Sequence, residues 1–169
     1  MPYRNSAFDR IPDGAGKSTY GLRLAREHRT VLLNLDYWMA RLFSPDRPDG
    51  QIWDWYRTRK ARCLEQIWEL TRDLLPHQEH AVLELGLLQS AARVGFFQRI
   101  QEAGFEFRLH VLEVPSDERW QRVQRRNREQ GETHAMHVSE EVFALASGLW
   151  ESPSEAEGTL YEIIRKGAE

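Results

Sequence analysis

A chain of 169 residues and 19.9 kDa suits one domain, residues 1–169, around one sizeable core. Its 41% hydrophobic and 29% charged residues exclude a disordered protein, and a net charge of -3 gives no overall attraction to nucleic acid or to an acidic membrane. Cys63 is the only cysteine, which excludes an internal disulfide and agrees with a reducing compartment.

Residues 1–10 contain no apolar run, so neither a first β-strand nor the core of a signal peptide is read there. Residues 17–29 follow with Tyr20, Leu22, Leu24 and Ala25 on the apolar side of a helix. Residues 30–35 (Thr-Val-Leu-Leu-Asn-Leu) read as a buried strand ending at Asp36, and Ser44 to Gly50, with two prolines, as a loop. A long helical pattern covers 52–75, a second strand covers 81–85, and a helix over 89–104 stops at Gly104. A third strand, 105–112, alternates apolar and polar residues more than full burial requires. Helices at 116–130 and 139–149, the latter with Ser139 as cap, flank a loop at 130–138. Most of the six tryptophans fall in the amphipathic stretches and read as helix packing. No segment approaches the ~20 apolar residues that cross a bilayer, so the expectation is a cytoplasmic protein with no membrane partner.

Strands alternating with helices predict a three-layer α/β domain with a mainly parallel sheet of about five strands, some poorly defined in sequence. Its chemistry centres on Gly14-Ala15-Gly16-Lys17-Ser18-Thr19. Glycines let backbone N–H groups turn toward an anion, and the positive end of the following helix favours negative charge. Lys17 would reach the outer phosphates of a nucleoside triphosphate, Ser18 would ligate Mg²⁺, and Thr19 suits the α-phosphate. The pattern has two departures: Ile11 stands where a further glycine is expected, and the preceding strand is not evident. That strand is short and polar, or another segment fills the central slot, or the chain start differs from that of its relatives.

Pro12 to Thr19, then Leu35-Asp36-Tyr37-Trp38-Met39, Val82-Leu83-Glu84-Leu85-Gly86 with Arg93, and Arg119-Trp120, Arg122-Val123 and Arg126-Asn127, together resemble the small P-loop kinases. These include gluconate kinase, chloramphenicol phosphotransferase, the zeta toxins and predicted bacterial kinases described as AAA domains. The resemblance spans roughly 12–157 and implies a P-loop kinase fold that binds ATP with Mg²⁺ and phosphorylates a hydroxyl of a small molecule. Region 116–138 would be the lid.

Asp36, at the carboxyl end of a strand, is a candidate acceptor-binding group and base, or a helix cap. Glu84 is a candidate second acid for Mg²⁺, or the partner of Arg93 in a structural ion pair. Arg93, on the following helix, is otherwise a candidate substrate contact, as is Tyr37. Arg122 and Arg126 share a helix face and would stabilise the transferring phosphoryl group, with Arg119 a weaker candidate. Tyr37, Trp38, Phe43 and the 53–56 region would wall the acceptor pocket. The histidines, including His77/His80 and His134/His137, lack the companions of a zinc site. Nucleic-acid binding by the arginine-rich helix lacks interleaved aromatics and overall basicity. The rival to the kinase reading is a nucleotide-binding pseudokinase or sensor with a degenerate phosphate loop.

Overall fold

The computed structural model describes residues 6–8, 14–48, 52–77, 80–129 and 138–167; Ile11 and the 130–137 loop lie outside them. Five parallel strands form one sheet: β1 (Ser6–Phe8), β2 (Leu32–Asn34), β3 (Val82–Glu84), β4 (Arg108–Leu112) and β5 (Glu162–Lys166), in the order β2-β3-β1-β4-β5. The central slot is therefore filled by Ser6–Phe8, a three-residue strand paired with β3 on one side and β4 on the other. Being central, it gains ladder hydrogen bonds from two neighbours, which offsets the weak strand preference of its sequence.

Seven helices join these strands among the described residues: α1 (Lys17–Glu27), α2 (Leu35–Leu42), α3 (Ile52–Leu74), α4 (Ser90–Glu102), α5 (Ser116–Glu129), α6 (Glu140–Gly148) and α7 (Glu155–Gly158). Helices at this spacing cover the sheet as the outer layers of a three-layer α/β domain. On α1, Tyr20, Gly21, Leu24 and Ala25 are buried, the i, i+1, i+4, i+5 stripe of a helix laid on a sheet. Gly21 matters there because an added Cβ would stand 3.0 Å from Leu32 Cδ1. The main core joins Leu33, Leu83 and Leu109 of the sheet to Ile67, Trp68, Phe96 and Phe97 of the helices. A second, separate cluster of Val123, Val138 and Phe143, with Trp120 against it, holds α5 to α6.

β4 owes its polar alternation to His110, which is buried and hydrogen-bonded to Tyr20 Oη of α1 at 2.9 Å. Burial, then the nearby cations Arg108 and Lys166 and the ring of His28, lower its pKa to about 4, so this imidazole is neutral near pH 7.

Candidate active site

Gly14 to Gly16 lead into α1, the helix that follows the central strand β1, where strand order reverses and open α/β sheets leave a crevice. Gly14 and Gly16 both adopt left-handed backbone, with φ of 89° and 84°. A Cβ on Gly14 would meet the Arg119 carbonyl oxygen at 2.1 Å, so this glycine also lets the first turn of α5 sit directly on the loop. Gly16 caps α1 without any side-chain hydrogen bond. The helix N-terminus, with its outward-pointing amides and positive dipole end, is thus open to an anion.

Ser18, in the first turn of α1, donates from Oγ to Glu84 Oε1 at 3.1 Å. Glu84 ends β3 and is 4% exposed. Its other oxygen accepts a 2.6 Å hydrogen bond from Asn34 Nδ2. Asn34 ends β2, and its side-chain carbonyl accepts from Tyr37 N at 2.9 Å, capping α2. One amide therefore ties the carboxylate to the helix that carries Asp36. Hydroxyl and carboxylate oxygens are hard donors, and at this spacing beside an open helix N-terminus they fit Mg²⁺ bound with a nucleoside triphosphate.

A cavity of about 970 Å³ opens over the loop, lined by Gly14 to Tyr20 and by α5. Its wall carries the cations Lys17, Arg23, Arg122, Arg125, Arg126, Arg128 and Lys166 against the carboxylates Glu118 and Glu129. Such an excess of positive charge in a cleft focuses a field that attracts a polyanion. Arg122 is held by Glu118 Oε1 at 2.6 Å, while its other terminal nitrogen lies 3.6 Å from where a Cβ of Gly16 would stand. Lys17, Ser18, Thr19, Arg122 and Arg126 are thus brought to one cavity. Arg119 is not among its lining residues: it is 7% exposed, donates to the Val114 carbonyl and Ser147 Oγ, and lies over the Phe143 ring.

Asp36 and Tyr37 stand off this cavity, in the first turn of α2 beyond β2. The cap of that helix is Asn34, which corrects the reading of Asp36 as the cap. Tyr37 is 50% exposed, with Arg41 over its ring. Trp38, Phe43 and Tyr56 are half-buried and packed on the main core.

Arg93 requires the largest correction. It is 0% exposed, and its carboxylate partner is Glu157 rather than Glu84. Nε and Nη2 donate to the two Glu157 oxygens at 2.9 and 2.8 Å, and Nη1 donates to the Leu88 carbonyl at 3.0 Å. Burial pushes the Glu157 carboxyl up, yet hydrogen bonds from Arg93, Tyr161 and Ser90 outweigh it and hold the pKa at about 2. The Tyr161 hydroxyl, desolvated and donating to that carboxylate, is raised well above its usual range. Arg93 was detectable from spacing: with Phe96, Phe97 and Ile100 it occupies the i, i+3, i+4, i+7 stripe of α4.

Asn34 is the site residue that sequence reasoning missed. Its signal was a cap-type amide closing an otherwise apolar strand, just ahead of Asp36. Among the described residues, no three His, Cys, Asp or Glu side chains come together as a metal cluster. His28 and His80 do meet, with ring centroids 4.3 Å apart. His134 and His137 lie outside the described residues. No helix among the described residues is long and apolar enough to cross a membrane.

Solved kinases share this fold. An unliganded sugar kinase from Janibacter sp. HTCC2649 superposes with a TM-score of 0.65 at 13% identity, over 99% of this chain and 86% of its own. A gluconokinase from Sinorhizobium meliloti 1021 gives 0.62 at 14% identity, over 99% and 85%. The Mycobacterium tuberculosis APS kinase CysC, in complex with AMPPNP and APS, gives 0.61 at 15% identity, over 99% and 91%. No curated protein matches the chain. The resemblance to small P-loop kinases therefore holds at the level of fold. Because the AAA-domain family AAA_33 matches residues 12–152, most of the sequence, the chain belongs to that family.

Proposed function

We propose that the protein is a phosphotransferase that moves the γ-phosphate of ATP, bound with Mg²⁺, to a hydroxyl of a small molecule. The observation that carries this is the Ser18–Glu84–Asn34 cluster, set beside a helix N-terminus with no side-chain cap and under a strongly cationic cavity. Gly14, Ala15 and Gly16 would cradle the phosphates through their amides, with Lys17 on the outer ones and Thr19 nearby. Ser18 and Glu84 would hold Mg²⁺, which supplies charge neutralisation across the phosphates.

Asp36, with Tyr37 beside it, would orient the acceptor hydroxyl. As that oxygen bonds to the γ-phosphorus, the bond to the β-bridging oxygen breaks, ADP leaves with that electron pair, and the hydroxyl proton passes to Asp36. Arg122 and Arg126 would neutralise charge on the transferring group. Residues 1–169 would act as one domain with 116–138 as its lid, and the separate cluster of Val123, Val138 and Phe143 supports a lid with packing of its own. The lone, buried Cys63 fits work in the cytoplasm. Within the small P-loop kinases, a likeness to the zeta toxins and chloramphenicol phosphotransferase rests on the quoted motifs alone.

Calorimetric titration of Mg·ATP into the wild type and Lys17→Ala tests this reading. Micromolar to sub-millimolar binding that weakens by at least about tenfold in the variant, some 1.4 kcal/mol, is expected. A folded wild type that binds no Mg·ATP would refute it.

A further inference from the structure

Pockets that tell one ring system from another are mostly apolar and aromatic, with a few placed polar groups. The cavity over the phosphate loop is built the other way round. Seven of its lining residues are cations and two are carboxylates. Both carboxylates are engaged by arginines of the same wall, Glu118 with Arg122 at 2.6 Å and Glu129 with Arg125 at 3.9 Å. Among the described residues, its apolar side chains are those of Ala15, Tyr20 and Leu112, and all three are buried. Tyr20 is the one aromatic residue there. The Arg23 guanidinium lies over its ring at 4.9 Å, and its hydroxyl is hydrogen-bonded to His110 at 2.9 Å. That covers a face of the ring and engages its polar tip, which leaves the wall without an open aromatic slot among the described residues.

What the wall offers instead is a run of cations leading away from the loop. Arg122 reaches the loop itself, its Nη1 lying 3.6 Å from where a Cβ of Gly16 would stand. From there α5 carries Arg125 and Arg128 onward, the latter about 9 Å further along the axis at a rise of 1.5 Å per residue. Arg23 stands as many residues beyond Lys17 on α1. Contacts to phosphate oxygens position a ligand but carry no information about its base. A guanidinium plane stacks on any base, since every base has a π-face, so stacking too is tolerant of the base.

We propose that this cavity selects its ligand by the polyphosphate chain and not by the base, so that any nucleoside triphosphate, and inorganic tripolyphosphate, occupies it. This rests on the phosphotransferase reading given above and widens its donor beyond ATP. The full chain is titrated by calorimetry with the Mg²⁺ complexes of ATP, GTP, CTP and tripolyphosphate, and with adenosine. The three nucleotides should bind within about threefold of one another and tripolyphosphate within about tenfold of ATP, while adenosine gives no signal. Lys17→Ala should weaken all four anions at least tenfold, which places them in the phosphate loop. Arg128→Met should weaken them by a common factor. Lys166, whose ammonium only donates, is the side chain of the wall best suited to read a base edge, so Lys166→Met should leave the ratio of ATP to GTP affinity unchanged. A preference of tenfold or more for one nucleotide overturns the inference, as does tripolyphosphate that fails to bind where ATP binds. A tenfold change of the ATP to GTP ratio in Lys166→Met overturns it too, as does tripolyphosphate binding that Lys17→Ala spares. In each of those cases Mg·ATP binding by the wild type leaves the phosphotransferase reading standing. A wild type that binds none of the four anions sinks both.

Discussion

Asn34 concentrates several duties in one side chain. Its amide nitrogen steadies Glu84, its amide oxygen caps α2, and the residue itself ends the strand beside β3. Replacing it with alanine removes a helix cap worth about 1 kcal/mol, so Asn34→Ala should lower the melting temperature by roughly 2–4 °C. The same change frees the Glu84 carboxylate to swing, and Mg²⁺-dependent nucleotide binding should weaken more than nucleotide binding in EDTA. Titration with and without Mg²⁺ checks this; equal losses would show that Asn34 acts only as a cap. Asp36→Asn is nearly isosteric and keeps the α2 cap, since that cap is Asn34. Once an acceptor is found, its turnover should fall by about 10²–10⁴ with Mg·ATP affinity unchanged, as loss of a proton acceptor predicts. Unchanged turnover would remove Asp36 from the mechanism.

The phosphate loop and α5 are built as one contact. Gly14→Ala places a methyl 2.1 Å from the Arg119 carbonyl oxygen, whereas at Gly16 the nearest outside atom is the flexible end of Arg122 at 3.6 Å. Both substitutions incur the strain of a left-handed alanine, about 1–3 kcal/mol, but only the first must also displace a helix. Thermal unfolding should therefore rank Gly14→Ala clearly below Gly16→Ala, and a reversed order would mean that α5 moves aside freely. The long helices α1, α3, α4 and α5 and the strands β2 and β3 were readable from their sequences, because burial on one face or on both imposes a period. The phosphate loop was readable because its chemistry is local in sequence. β1 and β5 were not. β1 is three residues long and is stabilised by neighbours distant in sequence. β5 is an edge strand whose charged Glu162, Arg165 and Lys166 mask Ile163 and Ile164. Glu84 and Asp36 could be nominated from strand ends, but the partner of Arg93 comes 64 residues later, which no local pattern encodes.

Across the fold, Arg93 and Glu157 bind the sheet-crossing helix α4 to the last helix and strand. Removing one member strands the other in the core, so Glu157→Gln should cost about 3–5 kcal/mol and lower the melting temperature by on the order of 10 °C. Replacing both by apolar residues of similar size should recover most of that loss; failure to recover would assign the cost to packing. Acid should act in two stages. His110 is harder to protonate in the folded protein, at about 4, than at its ordinary 6.5, so the unfolded chain takes up that proton first. Stability should decline as pH falls from 6.5 toward 4. Glu157, held at about 2 against an ordinary 4.5, adds a further decline from 4.5 downward. Denaturant midpoints measured across this range check both stages, and His110→Phe should abolish only the first.

Among the described residues, the small cluster of Val123, Val138 and Phe143 that joins α5 to α6 stands apart from the main core. A unit with a small core of its own, separate from the main one, opens at a lower free energy than the whole molecule. Amide hydrogens of α5 should therefore exchange with deuterium well before those of β4, and a polyanion bridging Lys17 and Arg122 should slow the α5 exchange selectively. On this view the protein is a rigid sheet bearing a softer flap, with the anion itself as the fastener.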